Sequence, residues 1–201
     1  MITIGNKLKN IRTRRAGVIV YTIHNNKLYF LFAKDAQYKE LCDFGGGPQK
    51  GEFSIQTAIR EFKEETNAIF DLTSSTSIYS EAVLNNQIAI CDVSPDDYNK
   101  SMTIFFVPVS NEWIAKANIY FSLKRNREVC TIKWLSENNF RKMLNNPHQS
   151  QKLWIRTRAL LLKSITRDTY MILRIIHSIY FPCKQYIKLP SGTPLKSYLT
   201  L

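Results

Sequence analysis

The chain has 201 residues, of which 44% are hydrophobic, and its 28 lysine and arginine residues against 16 acidic ones give a formal net charge of +12. This length can bury one core, so one domain with a terminal extension is expected. The four cysteines lie far apart and form no CxxC pair, which speaks against a zinc site or a disulfide framework and favours a reducing compartment such as the cytoplasm. No stretch has the pattern of a secretory leader, and none reaches the roughly 18 apolar residues that span a bilayer.

Two strands are predicted near the N-terminus, over residues 16–23 and 27–33, and the turn-prone pair Asn25-Asn26 between them predicts a hairpin. A loop over residues 34–43 follows. Later segments with the composition of strands predict extended structure at 76–83, 87–93, 102–109 and 129–134, before a helix that starts near Ser136. Strands and helices in this order predict an α/β fold, an α/β/α sandwich built on a mixed sheet.

A helix predicted over residues 52–67 carries the most informative pattern of the chain. Its apolar stripe against the sheet consists of Ile55, Ala58, Ile59 and Phe62. Glu61, Glu64 and Glu65 follow the spacing i, i+3 and i+4 and therefore share one face. Three like charges on one face repel each other, and oxygen ligands of this kind suit a hard cation such as Mg2+. The alternative is an ordinary solvated helix face.

Four glycines precede this helix or lie at its start, namely Gly45, Gly46, Gly47 and Gly51. A glycine backbone accepts positive φ angles and can approach a phosphate closely. We therefore expect these residues to form a phosphate-binding loop beside the glutamates. Arg60 lies on a different face from Glu61, where we expect it to pair with Glu52 and hold the loop against the helix.

The spacing of these residues resembles the Nudix box, Gly-x5-Glu-x7-Arg-Glu-U-x-Glu-Glu-x-Gly-U, in which U is apolar. The matching residues are Gly46, Glu52, Arg60, Glu61, Phe62, Glu64, Glu65 and Ala68. Two positions depart from the family pattern. Asn67 stands where the family has the glycine that ends the helix in a left-handed conformation, which asparagine tolerates best after glycine. Gln49 stands where many members have a further glutamate.

The resemblance implies a Nudix hydrolase, which uses Mg2+ or Mn2+ to cleave a pyrophosphate bond in a nucleoside diphosphate linked to another group X. It assigns Glu61, Glu64 and Glu65 to the metal, and these residues together with Arg60 form the predicted catalytic set. One of the box glutamates or a later one is expected to act as the base for the attacking water, and the sequence leaves that choice open. A module that has lost catalysis and binds a nucleotide or RNA is the alternative from another functional class.

A second point of resemblance lies further along the chain. Many Nudix hydrolases have a glutamate shortly before an apolar strand that ends in tryptophan and a helix-capping residue, and this glutamate completes the metal site. Glu128 precedes such a strand, which ends at Trp134 and Ser136. The alternative is a surface ion pair between Glu128 and Arg125 or Arg127. The weaker rivals for the role of fourth carboxylate are Asp92, Asp96, Asp97 and Glu112.

The predicted domains are a basic N-terminal segment over residues 1–15, a Nudix domain over 16–150 and a basic extension over 151–201. Net charge is positive over residues 1–15 and 139–201, whereas residues 16–138 are mildly acidic. Residues 151–181 mix apolar and basic side chains with the periodicity of one or two amphipathic helices. Three alternatives stay open for them, namely packing on the sandwich, binding of an RNA backbone and, less favoured, contact with a membrane surface. The tail over 189–201 is expected to be loosely ordered.

The preferred substrate is the 5′ cap of RNA, cleaved to release methylated guanosine diphosphate, because basic termini on both sides of an acidic site suit a long polyanion. A composition rich in Asn, Ile, Lys and Tyr hints at a large DNA virus, so that the protein would act in the host cytoplasm. The alternative is a small-molecule pyrophosphatase acting on dinucleoside polyphosphates, nucleotide sugars, oxidised nucleotides or diphosphoinositol polyphosphates. The oligomeric state stays open, and the aromatic residues that could stack on a base are Tyr21, Tyr38, Trp113 and Trp134.

Overall fold

One mixed β-sheet with helices on both faces forms the frame of the protein. The computed structural model describes residues 2–4, 10–73, 77–93, 98–123, 126–146 and 151–182. Within these ranges the sheet has eight strands in the order β1-β6-β7-β2-β3-β4, with β5 paired to β2 and β8 paired to β3. The strands are β1 Ile2–Ile4, β2 Arg15–His24, β3 Lys27–Asp35, β4 Leu41–Cys42, β5 Phe44–Gly46, β6 Ile88–Asp92, β7 Met102–Pro108 and β8 Val129–Ser136.

Strand β2 lies at the centre, parallel to β7 and antiparallel to β3. The hairpin expected between β2 and β3 is present. Asn25 and Asn26 have φ angles of 48° and 58°, and two consecutive residues in this region form the tight turn whose twist matches the two strands. Because β2 is covered on both faces, its residues from Ala16 to Thr22 are all buried, which explains the continuous apolar run in the sequence.

Two helical layers cover the sheet, and alternate residues of β2 divide between them. Val18 and Val20 belong to the core under the first layer, whereas Ile19 and Tyr21 belong to the core under the second. The first layer consists of α1 Ser54–Glu65, α2 Glu81–Leu84 and α3 Trp113–Ser122, and the second of α4 Glu137–Asn145, α5 Ile155–Ser164 and α6 Arg167–Tyr180. The predicted α/β/α sandwich with a mixed sheet is therefore confirmed.

The predicted elements differ from the observed ones in several places. Strand β4 lies within residues 34–43, which were predicted to be a loop, and β1 and β5 were not predicted. Residues 76–83 were expected to be extended, but Ser80 accepts a hydrogen bond from the Val83 N–H and begins the short helix α2, as an N-cap residue does. Helix α3 had no prediction. The box helix is shorter at both ends than predicted, because Phe53 is its N-cap and Thr66 its C-cap. The helix expected to start near Ser136 is present as α4, capped by the Ser136 hydroxyl.

The basic C-terminal helices form part of the second core. Leu161 of α5 and Leu173 of α6 are fully buried, and Tyr170 is nearly so. His177 of α6 lies against the sheet, where its Nε2 is 3.2 Å from the Ile23 N–H and 3.1 Å from the Val109 carbonyl oxygen. Helices α5 and α6 thus pack on the sandwich. Their buried residues belong to the same core as those of α4, on both sides of the predicted boundary at residue 150. The tail over 189–201 lies outside the described residues.

None of the helices that the structure describes combines the length and the apolar character needed to cross a membrane.

Candidate metal centre

Three carboxylates from two distant parts of the chain converge at one point. Glu61 and Glu65 lie one turn apart on α1, and Glu128 lies in the turn that leads into β8; one oxygen from each lies within 4.8 Å of the others. Helix α1 packs on β2 and β5, while the pairing of β8 with β3 brings Glu128 to the same edge of the sheet. Glu65 is buried and Glu128 is exposed, so the cluster opens toward solvent on the Glu128 side.

Glu65 lies at the inner end of the cluster and contacts the glycine loop. Its Oε2 accepts a hydrogen bond of 2.7 Å from the Gly45 N–H. Burial raises the pKa of Glu65 well above its usual value, and the positive charge of Arg15 opposes this shift. A carboxylate whose charge is poorly solvated gains from a bound cation, because the cation replaces the lost water.

Glu61 shares its carboxylate with Arg60. The Arg60 Nη1 donates to Glu61 Oε1 over 2.8 Å. Burial raises the pKa of Glu61 in spite of this bond. The Arg60 guanidinium therefore offsets part of the repulsion between the negative charges of the cluster.

Arg60 also ties the glycine loop to the helix. Its Nε and Nη2 bond to the two carboxylate oxygens of Glu52 over 2.9 and 3.1 Å, and Nη2 also donates to the Gly47 carbonyl oxygen over 2.9 Å. The expected Arg60–Glu52 pair is thus present as a two-pronged contact, the strongest geometry for this pair of groups. Hydrogen bonding to Arg60 lowers the pKa of Glu52 to about 2.

Glu64 lies apart from the three converging carboxylates. Its side chain is 60% exposed, and Oε2 accepts a bond of 3.3 Å from Arg60 Nη1. The structure thus brings together three of the four predicted ligands, Glu61, Glu65 and Glu128, and leaves Glu64 at the rim. The roles of all four at a metal stay predictions.

The four glycines of the loop have different surroundings and backbone conformations. A Cβ on Gly46 would lie 2.4 Å from Glu61 Oε1, and one on Gly45 would lie 2.6 Å from the Ala16 carbonyl oxygen. Gly51 has a φ of +90°, which only glycine adopts readily. A Cβ on Gly47 would meet nothing closer than the Arg14 carbonyl oxygen at 3.9 Å. Only the first two glycines thus let the loop lie directly against the cluster and β2.

The end of α1 is linked to the Glu128 turn by one asparagine. Asn67 has a φ of 54°, the left-handed conformation expected for the residue that replaces the family glycine. The Nδ2 of Asn126 is within 3.3 Å of the Asn67 Oδ1 and within 3.1 Å of the Glu64 carbonyl oxygen. Asn126 did not stand out in the sequence, because a lone asparagine in a loop has no recognisable spacing.

A buried polar network below the cluster was also missed. Arg15 Nη2 lies 3.2 Å from Asp43 Oδ2, and Asp43 Oδ1 accepts a bond of 2.6 Å from the Thr157 hydroxyl. The guanidinium of Arg15 also lies 4.8 Å from the centre of the Trp154 ring. The sequence predicts Arg15 to be part of a basic N-terminal segment. In the structure Arg15 is the first residue of β2, and its guanidinium pairs with the buried carboxylate of Asp43. These residues are too far apart in sequence for any motif to reveal them.

The described rivals among the acidic residues pair with lysines. Asp92 lies 3.3 Å from Lys163 Nζ, and Glu112 pairs with Lys116 one helical turn away. Asp96 and Asp97 lie outside the described residues, as does Arg125, one of the alternative partners for Glu128. None of the described rivals belongs to the cluster formed by Glu61, Glu65 and Glu128.

The donor set fits a small hard cation. It consists of carboxylate oxygens with no nitrogen or sulfur atom, and Mg2+ and Mn2+ prefer such oxygens and keep open positions for water and phosphate. The absence of a Cβ at Gly46 leaves the space beside Glu61 that the loop needs to approach the cluster. Glu61, Glu65 and Glu128 are therefore the residues that would hold the metal.

An α/β/α sandwich in which a glycine loop packs against a glutamate-bearing helix is the arrangement that the resemblance to the Nudix box implies. Residues 13–155 match the NUDIX domain family, so the chain belongs to this family.

Individual relatives add the following. A protein of Acanthamoeba polyphaga mimivirus, uncharacterized protein L534, is 41% identical over 92 residues, which make up 43% of this chain and 29% of the viral protein. The match thus spans less than a third of the length of that relative. A MutT/nudix family protein from Enterococcus faecalis has a TM-score of 0.50 at 10% identity, over 82% of this chain and 67% of that one. A C. elegans Ap4A hydrolase has a TM-score of 0.48 at 17% identity, over 80% and 98%.

Proposed function

We propose that this chain is a Mg2+- or Mn2+-dependent hydrolase that cleaves a pyrophosphate bond in a nucleoside diphosphate linked to a group X. The convergence of Glu61, Glu65 and Glu128, with one oxygen from each within 4.8 Å of the others, is the observation that carries the proposal. When bound there, the metal supplies charge neutralisation for the pyrophosphate and activation of the attacking water.

The residues around the cluster have separate tasks in this reaction. The absence of a Cβ at Gly45 and Gly46 lets the loop lie directly against β2 and Glu61, so that its backbone can approach a phosphate held at the carboxylates. Arg60 keeps Glu52 and the loop in register with α1 and balances the charge of Glu61. Glu64 is largely exposed beside Arg60, so it is free to turn toward a bound substrate as a further ligand or as the base that accepts a proton from water.

The nucleoside end of the substrate is expected near Tyr38. Of the four aromatic residues considered for base stacking, Tyr21 and Trp113 are buried, whereas Tyr38 is 68% exposed. Its turn adjoins the cluster, because the Ala36 N–H donates to the Glu128 carbonyl oxygen over 2.8 Å. An exposed aromatic ring beside a phosphate site suits a stacked base, and such stacking contributes about 1–3 kcal/mol per base.

Capped RNA is our preferred substrate, with the RNA chain as X, because exposed positive charge lies beside the glycine loop. Arg12 Nη2 bonds to the Gly51 carbonyl oxygen over 3.3 Å, and Arg14 and Lys50 are exposed nearby in the chain. Phosphates that follow the cap would meet this positive surface. The similarity to a mimivirus protein supports a large DNA virus as the source.

A small-molecule substrate is the second candidate, and the position of the C-terminal helices favours it. Helices α5 and α6 cover the face of the sheet opposite to α1. Two of their basic residues, Lys163 and Arg174, already pair with Asp92 and Glu137. A dinucleoside polyphosphate, nucleotide sugar, oxidised nucleotide or diphosphoinositol polyphosphate would need no contact with that face.

The decisive experiment is a hydrolysis panel with Mg2+ and with Mn2+, in which products are identified for capped RNA, dinucleoside polyphosphates, ADP-ribose and diphosphoinositol polyphosphates. The double variant Arg14→Ala/Lys50→Ala should raise KM for capped RNA and flatten its salt dependence, with little effect on a dinucleoside substrate. Arg167→Ala, an exposed cation on α6, is the matched control and should change neither. Absence of metal-dependent hydrolysis across the panel would overturn the proposal.

A further inference from the structure

Asn126 makes contacts at both ends of its side-chain amide. Its Nδ2 donates to the carbonyl oxygens of Glu64 and Glu65 over 3.1 and 3.0 Å and is 3.3 Å from the Asn67 Oδ1. These two carbonyls belong to the last turn of α1, whose carbonyl groups have no partner within the helix. The nitrogen end of Asn126 is therefore bound to the C-terminal end of the glutamate helix.

The oxygen end of the same amide holds the Glu128 turn. Asn126 Oδ1 accepts hydrogen bonds of 3.0 Å from the N–H groups of both Glu128 and Val129. The partners themselves determine which end of the amide is which, because one set consists of acceptors and the other of N–H donors. One side chain thus connects the segment that carries Glu61 and Glu65 to the segment that carries Glu128.

Such a connection matters because the backbone of Glu128 is held at two points, its carbonyl oxygen by the Ala36 N–H and its N–H by Asn126. Glu128 is exposed and lies in a bend outside any strand or helix, whereas Glu61 and Glu65 are held by α1. The departure of this chain from the family pattern contributes to the connection, since Asn67 offers Asn126 an oxygen that a glycine would lack.

We propose that Asn126 is a positioning residue, which holds the Glu128 carboxylate against Glu61 and Glu65 by linking the end of α1 to the Glu128 turn. The proposal rests on the proposed function, because it takes the three carboxylates as a metal site. Residues that orient metal ligands in this way typically change metal affinity by about 10- to 100-fold when they are removed.

The test measures Mn2+ binding to the metal-free protein, without substrate, by calorimetry or by the electron paramagnetic resonance signal of free Mn2+. Asn126→Ala should raise the dissociation constant about tenfold. Asn118 is an exposed asparagine of α3 that lines the same pocket as Asn126. Asn118→Ala is the matched control and should leave the constant unchanged. If Asn126→Ala binds Mn2+ like the unchanged protein, the proposal is wrong.

A double-variant cycle separates positioning from a merely structural role. If Asn126 acts through Glu128, then adding Asn126→Ala to Glu128→Gln should change the dissociation constant by less than about twofold, because the ligand that it positions is already gone. A general weakening of α1 would instead lower the affinity equally in both backgrounds, and that result would overturn the proposal.

Hydrogen exchange on the unchanged protein covers the case in which Asn126→Ala does not fold. The amides of Glu128 and Val129 should be protected, because both donate to Asn126. Rapid exchange at both amides would contradict the link directly. Failure of the proposed function gives a different result, since Mn2+ would then bind no better to the unchanged protein than to Glu61→Gln.

Discussion

The two faces of the sheet are built for different purposes. On one face, α1 carries Glu61, Glu64 and Glu65 and the arginine that pairs with Glu52, and the glycine loop packs directly against it. On the other face, α4, α5 and α6 contribute mainly apolar residues to a core and present basic residues to solvent. Both layers are amphipathic helices on one sheet, but among the described residues the cluster of like-charged carboxylates lies at the first layer.

The difference shows how two amphipathic helices can be told apart. Burial of apolar residues needs only hydrophobicity and volume, so many sequences serve equally well on the second face. The first face needs particular side chains at fixed spacing, because like charges are brought together and must be balanced by positive charge such as that of Arg60. Changes on the first face should therefore lower activity more than stability, and changes on the second face should lower stability more than activity.

The largest effect is expected on the first face. Glu65→Gln should lower the rate of metal-dependent hydrolysis by roughly a thousandfold, since removing an essential charged group commonly costs about 10²–10⁴ in rate. The fold should persist, because a glutamine oxygen can still accept the Gly45 N–H. Initial rates and thermal unfolding of the same preparation check this.

Lys63→Gln is the matched control for Glu65→Gln, since Lys63 is an exposed residue of the same helix. It should leave the rate within about twofold. A Glu65→Gln protein with full activity would remove Glu65 from the catalytic set.

The second face should respond in stability and not in chemistry. Leu161→Ala removes a fully buried side chain of α5 and should lower the free energy of unfolding by about 2–5 kcal/mol. The activity of the molecules that remain folded should be nearly unchanged. Urea unfolding and rates at low temperature measure the two quantities separately.

Leu162→Ala, one residue further on, is the control, because Leu162 is 48% exposed. Its effect on unfolding should stay below about 1 kcal/mol. If Leu161→Ala and Leu162→Ala destabilise equally, α5 does not pack as described. The same packing means that deletion of residues 151–201 should unfold the protein and cannot serve as a test for RNA binding.

A smaller effect separates two neighbouring glycines. In Gly46→Ala the new Cβ would lie 2.4 Å from Glu61 Oε1, so Glu61 must move away from its place in the cluster. Mn2+ affinity should fall by about 10- to 100-fold, as for other changes that misplace a ligand. Gly47→Ala meets nothing closer than 3.9 Å and should bind Mn2+ normally. Equal affinities in the two variants would mean that the loop is not pressed against Glu61.

The smallest effect concerns acid stability. The pKa of Glu52 is lowered from 4.5 to about 2 by hydrogen bonding to Arg60. A lowered folded-state pKa contributes stability that is present above pH 4.5 and is lost as the pH falls toward 2. The unchanged protein should therefore lose more stability between pH 6 and pH 3 than Glu52→Gln does. Parallel pH curves in urea unfolding would show that the Arg60–Glu52 pair adds nothing.

The sequence by itself predicted those elements of the fold whose conformation depends on neighbouring residues. The hairpin at Asn25-Asn26, the strands before and after it and the box helix follow from local turn chemistry and periodicity. The sequence pattern did not predict α3, and it wrongly predicted extended structure for residues 76–83. In both places local preference was weak, and packing under the first layer decided the conformation.

The site divides in the same way. Spacing on one helix is enough to bring Glu61, Glu64 and Glu65 to one face, because helical geometry repeats every few residues. Only the tertiary structure decided that Glu128 joins Glu61 and Glu65 while Glu64 stays at the rim, and that Asn126 links the two segments. Those contacts join residues about 60 positions apart. The pairing of β8 with β3 brings them together, and no pattern among neighbouring residues predicts that pairing.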